Sequence, residues 1–418
     1  MGRQSGCIRL AVISLSCIFI SIGCTRSVDK PAGTKPPSSA TSVASAVRAG
    51  PPHTTQDDLL DLAMRIATKI PVNPHLRDRS RAQGSVVTAC LELDQPKRAL
   101  AYIEKIDDWM RGLEYAELAF YCVRHGDTDN VQHYLNLAGK AADEAEDWRR
   151  DKIHVTMART QAWLGQKKEA QKVEENVDPF DTGGVMRVAA MKKDPKACDE
   201  EIAALDQMVA AKNFDGIRSN LESCVLFFDS FYSDTDRREQ IENKMRASWK
   251  KLPVFVQIDL LLKLADAALK NHDQVKAQVL VKDAQAVGEG AIWRPEYQVP
   301  HLARLATYRF RAGDAVEARK QAEAAEAVFD AKQKEIFDIY RAGALRPLAE
   351  AYQTMGDREV ALRLYKRVVE EGLGNPNSRP RAQDLCATCL SLAQHGVEPD
   401  SNLWARMRQI TDGLAPPW

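Results

Sequence analysis

The sequence predicts an all-α protein, with antiparallel helix pairs stacked as an α-solenoid, and three observations predict it. Gly126-Asp127, Gly313-Asp314 and Gly356-Asp357 each stand between a helix carrying Leu and a small residue and a second helix that opens with a small residue. Apolar residues recur at helical spacing, as in Leu345, Leu348, Ala349 and Tyr352, while Val/Ile/Thr runs with strand alternation are scarce. The stretch after Gln56 holds about 360 residues, more than one compact core accommodates. A solenoid removes that difficulty, because each unit packs only on its neighbours.

The first 23 residues predict an export signal. Arg3 and Arg9 are basic, Leu10 to Gly23 is apolar, and Cys24 follows. The run is shorter than the roughly 20 residues a membrane span needs. Ser21-Ile22-Gly23-Cys24 resembles a bacterial lipobox, in which the cysteine is lipidated and becomes the new N-terminus. Ser21 departs from it, since an aliphatic residue is usual there; an uncleaved anchor or an ordinary signal peptide are the alternatives. The resemblance implies a lipid anchor at Cys24. Thr25 is not the aspartate that marks inner-membrane retention, so the implied place is the outer membrane, facing the periplasm.

Residues 24–56 predict a disordered tether. Pro31, Gly33, Pro36, Pro37, Gly50, Pro51 and Pro52 lie among Ser and Thr, with no aromatic to bury. A coil of that length spans roughly 30 Å.

From residue 57 onward six units share one register. A large apolar residue followed by a small or β-branched one marks the first helix: Val86-Val87, Leu118-Ala119, Met157-Ala158, Leu264-Ala265, Leu305-Ala306 and Leu348-Ala349. Turns follow at Asp94, Gly126, Gly165, His272, Gly313 and Gly356. Small or β-branched residues come next at Ala99, Val131, Ala170, Ala277, Ala318 and Ala361, then Ile106, Ala138, Val177, Ala284, Ala325 and Val368. Small facing residues let paired helices approach closely, and glycine accepts the left-handed conformation that ends a helix.

At these positions the chain resembles the tetratricopeptide repeat family. The best unit runs from Arg346 to Val368, with Leu348, Ala349, Tyr352, Gly356, Ala361 and Tyr365 in family positions. Leu261, Leu302 and Leu345 replace the family's early Trp, and the closing Pro is missing. Ala277 to Ala318 is 41 residues and Ala318 to Ala361 is 43, against a family period of about 34; longer helices account for the excess. Over 178–252 the pattern fades, with room for about two degenerate units. Phe227-Phe228-Asp229-Ser230-Phe231-Tyr232 gathers aromatics there, as core filling or as a surface insertion.

The chemistry-bearing residues form no catalytic motif. Lys plus Arg number 58 and Asp plus Glu 58, so no global field points to nucleic acid or an anionic membrane. The sequence contains no HExxH, P-loop, GxGxxG after a strand or G-x-S-x-G. Six cysteines follow the lipobox. Cys90 and Cys122 take the first-helix position of Tyr352, so they are expected as small core residues. Cys386 and Cys389 form a lone CxxC inside a helical pattern, as core, a local disulfide or a metal pair; structural zinc needs about four ligands. No metal and no cofactor is expected.

The expected function is a non-catalytic scaffold in the cell envelope that binds an unidentified protein or peptide. The resemblance implies a concave groove lined by fixed first-helix positions: Phe120, Arg124, Arg159, Trp163, Phe310, Arg311 and Arg346. Arginine with aromatics suits an extended peptide bearing carboxylates. The competing reading is that these arginines are solvated or pair with Glu350 and Asp266 along the same face. Two other functions remain open. One is a secreted α/α-toroid enzyme acting on glycans through a carboxylate pair, disfavoured by short loops and by aromatics at 7%. The other is a structural envelope spacer without a groove ligand.

Overall fold

Left-handed residues punctuate the chain wherever the register places a turn. Asp94 (φ 62°), Gly126 (78°), Gly165 (83°), His272 (60°), Gly313 (87°) and Gly356 (83°) all adopt that conformation. Lys193 (55°) and Gly396 (62°) do the same at two turns that the register does not contain. The residue after the left-handed one often caps the next helix. Asp314 accepts the N–H of Glu317 at 3.4 Å, and Asp273 that of Lys276 at 2.9 Å. At Gly313-Asp314 the dipeptide is therefore a helix stop followed by a helix start, whereas Asp127 and Asp357 make no side-chain cap.

The computed structural model describes residues 54–174, 177, 183–211, 214–250 and 252–418. The signal segment, Cys24 and the tether as far as residue 53 lie outside the described residues. Among the described residues there are nineteen α-helices and two short 3-10 turns. The first is α1 (Thr55–Lys69). It begins at Thr55 rather than after Gln56, because Thr54 and Asp57 cap it reciprocally at 3.2 and 3.0 Å.

Pairs follow. They are α2 (Val72–Glu92) with α3 (Pro96–Ile103), α4 (Met110–Arg124) with α5 (Val131–Asp143), and α6 (Asp147–Trp163) with α7 (Lys167–Glu174). Next come α8 (Gly184–Met191) with α9 (Pro195–Ala211), and α10 (Phe214–Ser230) with α11 (Thr235–Trp249). Then come α12 (Val254–Lys270) with α13 (Gln274–Glu289), and α14 (Pro295–Arg311) with α15 (Ala315–Lys332). The last are α16 (Asp338–Thr354) with α17 (Arg358–Glu371), and α18 (Ser378–Gln394) with α19 (Ser401–Asp412). The stacked-pair, all-α architecture is the one the sequence predicts. Helices of 17 and 18 residues in α14 and α15 account for the long spacing there.

The small residues sit between the paired helices. Ala119, Ala158, Ala265, Ala306 and Ala349 are fully buried, as are their partners Ala170, Ala277, Ala318 and Ala361. Two pairs, α8 to α11, occupy the stretch where the pattern fades. Phe227 and Phe228 are fully buried there, so the aromatic cluster is mainly core.

The first helices of successive pairs pack directly on one another, from α4 through α16 to α18. The second helices reach each other through long side chains, as in Arg237–Asp199 (2.7 Å), Arg246–Asp283 (2.7 Å), Arg363–Glu326 (2.6 Å) and Arg406–Glu370 (2.7 Å). The first helices thus form an inner layer and the second an outer one.

An open solenoid would leave two free ends. Here they meet. α18 lies along α1 and reaches α2. Gln56 donates to the Ala393 carbonyl at 3.1 Å, Arg379 pairs with Asp78 at 3.1 Å, and Gln394 donates to Glu92 at 2.6 Å. The Cys386 thiol lies 3.6 Å from the Ala63 carbonyl. α1 runs antiparallel to α18 and joins the outer layer beside α3, where Arg98 binds Asp57 (3.0 Å) and Asp61 (2.7 Å). The result is a closed two-layered ring. Ala63, Ala67, Ala382, Cys386 and Ala393 are buried in the seam, and their small volumes permit the close approach.

Candidate binding surface

Four of the seven predicted groove residues come together on α4 and α6. The ring of Phe120 meets that of Trp163 edge-on at 6.0 Å. The Arg159 guanidinium lies 4.0 Å from the Phe120 ring and ion-pairs with Glu117. Phe120 itself is buried. Arg124 stands in the last turn of α4, exposed, 5.8 Å from the Phe120 ring, and makes no ion pair among the described residues. Lys192, the residue that ends α8, closes the group: its ammonium donates to the Trp163 carbonyl at 2.7 Å and lies 5.5 Å from the indole. That ammonium is engaged by the C-terminal carbonyls of α6, which leaves Arg124 as the available cation.

The other three residues lie elsewhere. Arg311 binds Asp266 at 2.8 Å and rests 5.3 Å from the Tyr308 ring. Arg346 faces Asp384 at 3.7 Å, with both side chains largely covered. Burial pushes the Asp384 carboxyl up to about 6 against the opposing pull of Arg346. Phe310 forms the floor of a separate open cleft of about 300 Å³ with Val316 and Met355, rimmed by Arg319, Lys320 and Glu323. Glu350, the other expected arginine partner, accepts from Ser391 at 2.6 Å, and Ser391 shares a 2.7 Å hydrogen bond with the buried Tyr365 hydroxyl.

Ion pairs join successive inner helices elsewhere too. Arg304 binds Asp259 (2.8 Å), and Lys263 binds both Asp259 (3.0 Å) and Glu222 (3.6 Å). These half-exposed pairs contribute about 0–1 kcal/mol each. Their main effect is to fix the register of neighbouring helices.

The six cysteines beyond the lipobox are free and buried. Cys386 and Cys389 do not pair with each other, and burial pushes the Cys386 thiol up to about 12. Among the described residues no group of three His, Cys, Asp or Glu side chains is placed to hold a metal ion, and no helix is long and apolar enough to cross a membrane.

One exposed feature escapes the repeat register. Phe255, Ile292, Tyr297, Phe337, Ile339 and Tyr340 stand out at the starts of three consecutive inner helices. Phe337-Asp338-Ile339-Tyr340 is the visible signal, since a helix start is normally polar.

No protein-family model and no curated protein sequence matches the chain. It is similar to a solved structure described as a circular tandem repeat protein with novel repeat topology and enhanced subunit contact surfaces. The identity is 15%, over 86% of this chain and 94% of that one, with a TM-score of 0.19. The chain is a helical tandem-repeat protein.

Proposed function

We propose that the protein is a non-catalytic scaffold whose helix pairs are divergent tetratricopeptide repeats. It is exported, tethered to the envelope through lipid on Cys24, and captures an acidic segment of a partner protein. The single observation that carries this reading is Arg124, an exposed cation beside the Phe120–Trp163 aromatic pair. Arg159 is held by Glu117, Arg311 by Asp266 and Arg346 by Asp384. A carboxylate arriving at Arg124 displaces no internal partner, and aromatic neighbours with arginine are the residues that dominate interface energetics.

The test is crosslinked capture from the cell envelope with the wild-type chain and with Arg124→Glu/Trp163→Ala. A stoichiometric protein that is lost from the double variant, with helical circular dichroism unchanged, supports the reading. Capture that survives both substitutions removes it. Arg311 and Arg346 are unsuitable for this test, since a glutamate at either would face Asp266 or Asp384 across a largely covered contact.

Ring closure favours one second reading, the α/α-toroid enzyme on glycans, by architecture alone. Its inner-layer carboxylates Glu222, Asp259 and Asp266 are each ion-paired with Lys or Arg, and at Asp259 the upward push of burial is outweighed by Lys263 and Arg304, which hold the carboxyl below its usual value and unsuited to donate a proton. A sugar polymer in place of a protein in the capture experiment would support that reading.

A further inference from the structure

The row of apolar side chains at the starts of α12, α14 and α16 lies on one edge of the ring. Asp259 meets Arg304, and Asp266 meets Arg311, both at a separation of 45 residues. The constant offset means that α12 and α14 run parallel and in step, so their starts lie side by side. The Arg294 guanidinium, at the start of α14, lies 6.0 Å from the Phe337 ring, which joins the α14 start to the α16 start. The row is thus continuous over three units. At α4 and α6 the same edge is polar, since Asp107 and Asp108 precede α4 and Glu144, Glu146 and Asp147 stand at α6; at α2 a single apolar residue, Val72, is exposed.

We propose that this arc is the contact face of a two-fold dimer of the chain. The area fits. Phe255, Tyr297, Phe337 and Tyr340 are 45%, 53%, 62% and 36% exposed. At about 200 Å² per aromatic side chain, these four leave about 400 Å² of mostly apolar surface open. Ile292, fully exposed, and Ile339 add to it. A standard interface covers about 800 Å² per partner, a little over half of it apolar. The row supplies that apolar share from one arc.

The rim carries both signs. Arg294 and Lys334 are exposed beside exposed Glu289 and Glu335. A two-fold contact brings each surface against its own copy, so a rim of mixed sign complements itself, whereas a rim of one sign would repel. The same acids disfavour an anionic bilayer as the occupant.

The experiment is sedimentation velocity on the chain from Thr25 to Trp418, so that neither attached lipid nor the apolar Leu10–Gly23 segment drives assembly. It is compared with the same chain bearing Tyr297→Asp and Phe337→Asp, two exposed positions where aspartate costs little folding energy. The expected result is a concentration-dependent dimer, of about twice the chain mass, that becomes monomer in the variant with unchanged circular dichroism. A chain that stays monomeric at the highest attainable concentration, or a dimer that persists in the variant, overturns the proposal. So does flotation of the monomer with phosphatidylglycerol vesicles that the variant loses, because the row would then be a membrane face. The capture experiment on Arg124 reads another edge and fails or succeeds independently.

Discussion

Glu114 shows how one residue sets a pH dependence for the whole chain. Its side chain is buried in α4, one carboxylate oxygen has no hydrogen-bond partner, and Gly84 of α2 makes room for it. An alanine at Gly84 would bring its Cβ within 2.8 Å of the Glu114 Oε1. Burial first, and then Glu117, push the carboxyl well above the ordinary glutamate value of 4.5. Burial pushes Glu201 up to about 7 in the same way. Such groups bind a proton more tightly folded than unfolded. Their contribution is complete below the unfolded value and is lost as pH rises through the folded one. His301, stacked 4.8 Å from Trp293 and pushed down to about 4 by burial, acts oppositely and destabilises the fold as pH falls below its ordinary 6.5. Glu114→Gln keeps the shape and removes one titration. Its urea-unfolding free energy should match wild type near about pH 4 and exceed it by about 1–3 kcal/mol near about pH 8. Equal differences at both pH values would show that the carboxyl does not titrate with folding.

At the scale of the element, the turns decide where each helix stops. Gly356 is left-handed with open space around it, so a Cβ there meets no atom within 4 Å and the cost of Gly356→Ala is purely conformational. His272 occupies the same place between α12 and α13 with φ 60°. A left-handed non-glycine residue costs about 1–2 kcal/mol, part of which glycine returns as entropy of the unfolded chain. His272→Gly is therefore expected to stabilise by a few tenths to about 1 kcal/mol, seen as a higher midpoint in thermal melts; a lower midpoint would mean that the imidazole makes a contact worth more than its strain. These turns also mark what the sequence makes legible. Glycines and paired alanines leave a local signature, and all six predicted turns are left-handed. Lys193 does the same work with no signature, so α8 and α9 stay hidden in the faded stretch. The candidate surface is legible only in part. Phe120, Arg124, Arg159 and Trp163 meet because neighbouring repeats carry them at equivalent positions. The partner of Arg346 is not Glu350 of its own helix but Asp384, 38 residues on, which no local pattern indicates.

Closure belongs to the whole molecule, and its contacts are the least local of all. Gln394 meets Glu92 across 302 positions, and Cys386 meets Ala63 across 323. Small residues in α1 and α18 resemble those of any helix pair, so the sequence signals that each helix has a close neighbour without saying which. The consequence is thermodynamic. In an open repeat array each end lacks one neighbour, frays first and needs a polar cap. In a ring every unit has two neighbours, and opening it anywhere costs a full interface. Ala63 is the point at which to test this, because it is fully buried in α1 and its carbonyl touches the Cys386 thiol in α18. Ala63→Arg places an unpaired charge in the seam, at a cost of several kcal/mol, and the cheapest relief is for α1 to leave α18. Cys386 is shielded from thiol reagents in the closed ring, with burial holding its thiol near 12. In the variant it should react rapidly under native conditions, as mapped by peptide mass, while Cys198 and Cys224, across the ring in α9 and α10, stay protected. Uniform exposure of all these thiols would mean that the variant unfolds as a whole, and then the ring has no weakest seam: closure would have made the α1–α18 contact one interface among equals.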